Sequence, residues 1–337
     1  MTSEIRSWRN VDRQIFEAEI LPAGKPAVLR GLVSDWPLVR KGLESPAAAA
    51  QYLLSINPQT QIDLLVAKSS IGGRFFYDES MSGFNFDRFK AGFGQVLAEL
   101  IAQLSNPVPP ALSMQAISVP EHLPGFEDGH RLDLVPAGTL PRIWIGNAIT
   151  VAPHFDTYEN IACVACGKRR FVLFPPEQVA NLYVGPFEVA PQGVPISLVD
   201  VRKPDLERFP RYKDAMAAAQ FADLEAGDAI FIPYMWWHGV QSLSSFNVLM
   251  NYWWNTPPGA GEGPLRALVH AIVTITRLPP SHREIWKPFF DHYIFGANGD
   301  PGQHIPPASR GMLGETTTAQ AEQTLQALAR VISNGRT

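Results

Sequence analysis

Pro153-His154-Phe155-Asp156-Thr157-Tyr158-Glu159-Asn160 is the stretch whose reading decides the fold. On a strand, residues i and i+2 share a face. His154 and Asp156 then project an imidazole and a carboxylate to the same side. These are two of the three ligands of a 2-His-1-carboxylate facial triad, whose other positions stay open for substrate and O₂. The third ligand must be a distant histidine from another strand of a barrel. His238 qualifies, because it follows the strong strand pattern Asp228-Ala229-Ile230-Phe231-Ile232-Pro233. Mixed nitrogen and oxygen donors with open positions suit Fe(II), with zinc and manganese close behind on chemistry alone. An H-x-D tripeptide by itself is a common accident, so the weight falls on its surroundings.

Outward from this stretch, residues 111–255 alternate short runs rich in Val, Ile, Phe and Trp with Pro, Gly and Asp punctuation. Arg142 to Ile145, Asn160 to Ala165, Arg170 to Phe174, Ala229 to Ile232 and Phe246 to Trp254 read as strands. Many short strands with turn signals predict a sandwich or barrel. Upstream, Pro26 to Leu32 predicts a short apolar strand in a small α/β entry region. Phe86, Phe89, Phe93, Val96, Leu97, Leu100, Ile101 and Leu104 recur at helical steps and predict a helix over 86–104. Residues 196–222 read as a charged insertion. From about 262 the pattern becomes helical. Leu265, Leu268, Ile272 and Ile275 mark one helix, and Ser281 with Glu284 forms a capping-box pattern for the next. Leu325, Leu328 and Ile332 share a face of the last, and such stripes need a partner surface. The expected division is therefore an entry region over 1–110 packed on the barrel, a β core over 111–260 and a helical region over 261–337.

The bulk composition excludes several classes. Charged residues make up 18% of the 337-residue chain and the formal net charge is −4, unlike the basic footprint of a nucleic-acid binder. The two cysteines form Cys163-Val164-Ala165-Cys166, which on a strand would point to opposite faces, so a structural role is expected rather than zinc or redox chemistry. The absence of a disulfide framework suits a reducing compartment. The sequence shows neither an apolar leader core nor a run of the ~20 apolar residues a membrane helix needs. The expectation is a soluble, cytoplasmic protein.

The motif series extends through Gly167-Lys168-Arg169-Arg170-Phe171-Val172-Leu173-Phe174-Pro175-Pro176, Gly227 to Pro233, Trp236-Trp237-His238 and Asn251-Tyr252-Trp253. It resembles the cupin-like branch of the JmjC family, including its asparaginyl hydroxylases, over about residues 20–260. The resemblance implies a mainly β fold with flanking helices, in the form of a double-stranded β-helix (jelly roll, or cupin), followed by a helical C-terminal region that often mediates dimerisation. It implies iron ligation by His154, Asp156 and His238, which are also the catalytic residues. It further implies 2-oxoglutarate as co-substrate, with O₂, in hydroxylation of a protein side chain or small molecule. Asn160 and Asn251 match polar residues near the co-substrate or the metal.

Two departures bear on the co-substrate. Where the family usually carries a lysine for the distal carboxylate, this chain has Arg169, flanked by Lys168 and Arg170. Strand alternation allows Arg169, or else its two neighbours, to face inward. Arg169 is the favoured anchor, with Lys168 as a further candidate. Ser113 stands where a tyrosine hydroxyl is usual, and Thr150 or Val151 falls near a usual threonine, with Thr150 carried as the candidate. Two other readings stay open: a cupin-type metalloenzyme without 2-oxoglutarate, and a metal-dependent binding protein without catalysis.

Overall fold

Along Asn247–Trp254 the side chains alternate strictly between two environments. Val248, Met250, Tyr252 and Trp254 join one hydrophobic cluster, whereas Leu249 joins another. Period-2 alternation of this kind requires a sheet covered on both faces. The computed structural model describes residues 3–56, 59–191, 193–255, 263–315 and 317–333. Its chain divides into two compact units, residues 1–255 and 256–337.

The first unit is mainly β, built on two sheets. The larger runs in the order Ser7–Arg9, Ala27–Arg30, Ala229–Ile232, Glu159–Cys166, Asn247–Trp254, Pro141–Gly146, Ala111–Ser118, Gln61–Ala67 and Asp87–Gly92. The smaller runs Ser3–Glu4, Gln220–Glu225, Lys168–Phe174, Trp237–Ser242, Thr150–His154 and Arg74–Phe75. From Pro141 to Trp254 the chain switches between the sheets at every step except from Lys168–Phe174 to Gln220–Glu225, which pair within the smaller sheet, and this is the jelly-roll arrangement. Helices Pro37–Glu44, Pro46–Ile56 and Phe93–Ala102 supply Leu38, Leu53, Phe93 and Leu100 to the outer cluster on the larger sheet. Burying each such side chain contributes roughly 1.5–3 kcal/mol. The inner cluster, including Val164, Phe171, Leu173, Ile230 and Leu249, fills one part of the space between the sheets. The 1–110 segment contributes strands to both sheets rather than standing apart.

Several local expectations are corrected. Residues 86–104 are not one helix: Asp87–Gly92 is an edge strand paired with Gln61–Ala67, and the helix starts at Phe93 after Gly92. The helical spacing of Phe93 onward does not carry back across Gly92, and Phe89 is exposed. Gln220–Glu225, whose first three residues close the expected 196–222 insertion, is a strand pairing with Lys168–Phe174. Cys163 and Cys166 belong to the same outer cluster, because a register shift between Val164 and Cys166 cancels the alternation. Both thiols are free and buried, and burial pushes the Cys166 thiol up to about 11.

The second unit contains helices Gly263–Ile275, Pro280–Tyr293 and Thr318–Ser333. Pro280 occupies the first helical position and Pro279 precedes it, so Ser281 lies inside the helix and does not cap it. Leu268, Ile272, Trp286, Phe289, Leu325 and Leu328 are exposed. Among the described residues no helix is long and apolar enough to cross a membrane.

Candidate metal centre

His154 is the last residue of Thr150–His154, and His238 the second of Trp237–Ser242. The two strands are antiparallel neighbours with His154 directly opposite His238. The imidazole centroids lie 4.3 Å apart. Asp156 is not on the strand, as the i, i+2 reading assumed. The ladder ends at His154, and the Asp156 carbonyl instead accepts the Met235 N–H at 3.0 Å. Its carboxylate still arrives beside the histidines, with Oδ2 3.5 Å from His238 Nε2. One ligand atom from each of the three residues lies within 4.8 Å of the others.

Each histidine is oriented by a main-chain carbonyl two residues earlier. His154 Nδ1 lies 3.0 Å from the Ala152 oxygen and His238 Nδ1 lies 3.1 Å from the Trp236 oxygen. Nδ1 donating to a carbonyl leaves Nε2 as the lone-pair nitrogen, the form that binds metals. Burial and the neighbouring His238 hold the His154 imidazole down to about 4, against the opposing pull of Asp156. It is therefore neutral and competent as a ligand at neutral pH.

The three residues line a cavity of about 540 Å³ between the sheets, together with Asn160, Asn251, Arg169, Ser113, Trp144 and Trp253. Arg169 is 5% exposed. Its Nε has no hydrogen-bond partner, and no ion pair reaches the guanidinium among the described residues. Burial lowers it to about 10, with Cys166 opposing, so the group stays charged at pH 7. Its neighbours differ. Lys168 and Arg170 are exposed and pair with Glu225 and Asp223. Lys168 is thus on the outer face, and its candidacy as a cavity residue is corrected. The turn at Gly167 sets this register. Its φ is +80°, and a Cβ there would lie 2.5 Å from Asn247 Oδ1.

A second correction concerns Thr150. It is buried but does not line the cavity, whereas Val151 does. Between His238/His154 and Val240/Val151 the strand of His154 carries one extra residue. This bulge inverts the side-chain alternation behind His154. Asn160 and Asn251 face the cavity and each other, with Asn251 Nδ2 donating to Asn160 Oδ1 at 2.8 Å. Trp144 and Trp253 line the cavity, while Trp236, Trp237 and Trp254 are buried. Arg142 lines the cavity, and Asp133 is exposed elsewhere. Asp63, Arg88 and Gln115 also reach it, and no sequence signal marked them.

A larger cavity of about 750 Å³ lies against the Gln220–Glu225 edge of the smaller sheet. Its arginines are already partnered, Arg30 with Asp228, Arg170 with Asp223 and Arg202 with Asp200. The triad cavity, by contrast, holds a buried cation with no ion-pair partner among the described residues.

The model of the cupin-like domain matches residues 12–260. The chain belongs to the cupin-like family. Some relatives of this cupin-like chain carry JmjC names. Lysine-specific demethylase JMJ31 of Arabidopsis thaliana is 33% identical over 114 residues, 34% of this chain and 20% of the relative. The tRNA wybutosine-synthesizing protein 5 of Gallus gallus is 23% identical over 315 residues, 84% of this chain and 92% of the relative. Jumonji C domain-containing protein 5 of Drosophila melanogaster is 28% identical over 257 residues, 71% of this chain and 57% of the relative. The chain thus spans nearly all of one relative and a fifth to just over half of the other two. The JmjC cupin family is generally dependent on Fe(II) and 2-oxoglutarate.

Proposed function

We propose that this protein is a non-haem Fe(II), 2-oxoglutarate-dependent dioxygenase that hydroxylates a protein side chain or a small molecule. The observation that carries the reading is Arg169. A buried guanidinium without a counter-ion is costly, and it faces the same cavity as the His154, Asp156 and His238 donor atoms. A dicarboxylate would answer both groups at once, with one carboxylate toward a metal held by the three donors and the other taking two parallel bonds from the guanidinium.

The residues present fit the implied groups. His154, Asp156 and His238 would hold Fe(II), which supplies O₂ activation coupled to decarboxylation of the co-substrate. The Nδ1–carbonyl bonds of both histidines keep Nε2 directed at the centre. Asn160 and Asn251 offer amide groups on the cavity wall for the co-substrate or the carboxylate ligand. Trp144 and Trp253, packed edge to face at 5.1 Å, form an apolar wall that keeps water from the reacting centre. We further propose a homodimer through the second unit, where exposed apolar side chains need cover.

The test is an anaerobic Fe(II) titration with and without 2-oxoglutarate, followed by visible absorption and by succinate formation on admitting air. A chelate charge-transfer band and succinate are expected. Iron binding without either result would discard 2-oxoglutarate and favour another cupin metal chemistry.

A further inference from the structure

Of the three donors at the centre, the carboxylate has the least backbone support. His154 and His238 sit on paired strands, and each has a carbonyl behind its ring. Asp156 lies in the connection after the strand has ended. A side chain there has freedom to rotate away unless something holds it. The structure supplies that hold from the opposite sheet. Trp253 Nε1 donates to Asp156 Oδ2 at 3.2 Å. Asn160 Nδ2 reaches the same oxygen at 3.5 Å and is itself steadied by Asn251.

The indole is held in turn. Trp253 lies directly opposite Asn160 in the strand register. Its ring meets Trp144 edge to face, with centroids 5.1 Å apart and planes at 89°. The adjacent Trp254 points the other way and packs against Phe231 and Phe16 in the outer cluster. Neighbouring indoles on one strand thus divide between core and site.

We propose that Trp253 is a positioning residue for the metal centre, holding the Asp156 carboxylate as the two main-chain carbonyls hold the histidines. Partners behind metal ligands fix ligand orientation, and their loss costs roughly 10–100-fold in metal affinity. The inference rests on the three-residue metal site but not on 2-oxoglutarate.

The test is a Co(II) titration of the full chain, read from the ligand-field absorption of bound cobalt. Trp253→Phe keeps the ring and its packing on Trp144 but removes the N–H. Its Co(II) Kd is expected to weaken about tenfold, with unfolding of the metal-free protein unchanged. Trp254→Phe, on the same strand but turned to the outer cluster and without a bond to Asp156, is expected to bind as the wild type does. A loss below threefold in Trp253→Phe overturns the proposal. So does an equal loss in Trp254→Phe. If Trp253→Phe does not fold, indole ¹⁵N spectra of the wild type with Zn(II) replace it. An indole N–H that shifts on zinc addition and persists in Trp144→Phe, Trp236→Phe and Trp237→Phe supports the proposal, and its absence overturns it. A wild type that binds no cobalt sinks the metal site itself, and the inference with it.

Discussion

Replacing Arg169 should make the ligand-free protein more stable while destroying its affinity for 2-oxoglutarate. Burial lowers the Arg169 guanidinium from its ordinary value to about 10. At about 1.4 kcal/mol per tenfold, this is about 3 kcal/mol against the charged form in the folded chain. The sign follows from linkage. The folded pKa lies below the unfolded one, yet both lie above 7, so the full cost is present at neutral pH. Arg169→Met keeps the apolar stem and removes the charge. For a unit of this size, about 3 kcal/mol corresponds to roughly 6–12 °C in Tm. The ligand-free variant should therefore melt several degrees above the wild type. With 2-oxoglutarate at 100 times its Kd and Fe(II) or Mn(II) present, the wild type gains about 2.7 kcal/mol from binding. Arg169→Met should gain almost nothing and show no charge-transfer band. The assay is thermal unfolding of both proteins, with and without the two ligands, in the absence of O₂. A ligand-free variant that melts no higher than the wild type, together with an unchanged 2-oxoglutarate shift, would refute the reasoning.

His154→Ala and Asp156→Ala should each abolish Fe(II)-dependent turnover with the far-ultraviolet circular dichroism unchanged; full activity in either removes the triad assignment. His130 should make the fold acid-sensitive. Its Nε2 accepts from Leu38 N–H at 3.1 Å while Nδ1 bonds the Phe126 carbonyl at 2.7 Å, so the ring is held neutral, and burial lowers it from 6.5 to about 4. The folded pKa is the lower one, so stability is complete above pH 6.5 and falls by about 3 kcal/mol as pH drops toward 4. Urea midpoints of wild type and His130→Gln across that range should differ in slope, and parallel curves would rule the histidine out. For the homodimer, light scattering of the full chain should give twice the monomer mass, and Leu268→Glu with Trp286→Glu should halve it; a monomeric wild type disposes of the proposal.

The fold was legible where side chains alternate without interruption. Ala229–Ile232 and Asn247–Trp254 were read as strands within one residue of their bounds, because their apolar content and flanking turns leave little choice. Gln220–Glu225 was not, because only Ala222 and Leu224 are buried in it and they alternate with exposed Asp223 and Glu225, which leaves an apolar pattern only two residues long. Asp87–Gly92 was missed for a similar reason. As an edge strand with exposed Arg88, Phe89 and Lys90 it buries too little to leave a two-residue pattern.

The site was legible in its residue types and less so in their directions, and the failures share one cause. Alternation predicts facing only while a strand keeps its pleat, and the pleat breaks repeatedly around the cavity. The extra residue between Val151 and His154 puts Val151, not Thr150, on the wall. The register shift between Met114 and Ile117 brings Gln115 and Ala116 to the cavity, with Ala116 at a φ of +48° and its carbonyl accepting from Arg142. The end of the strand at His154 frees Asp156 from the ladder and makes it depend on Trp253. Bulges of this kind re-aim side chains and recur beside functional sites. Irregular backbone is costly to maintain, so its concentration around one cavity of the barrel marks the place where structural regularity gave way to function. Lys168, Arg169 and Arg170 supply the contrast. No bulge intervenes there, and alternation alone sends the central arginine inward and its neighbours to exposed carboxylates.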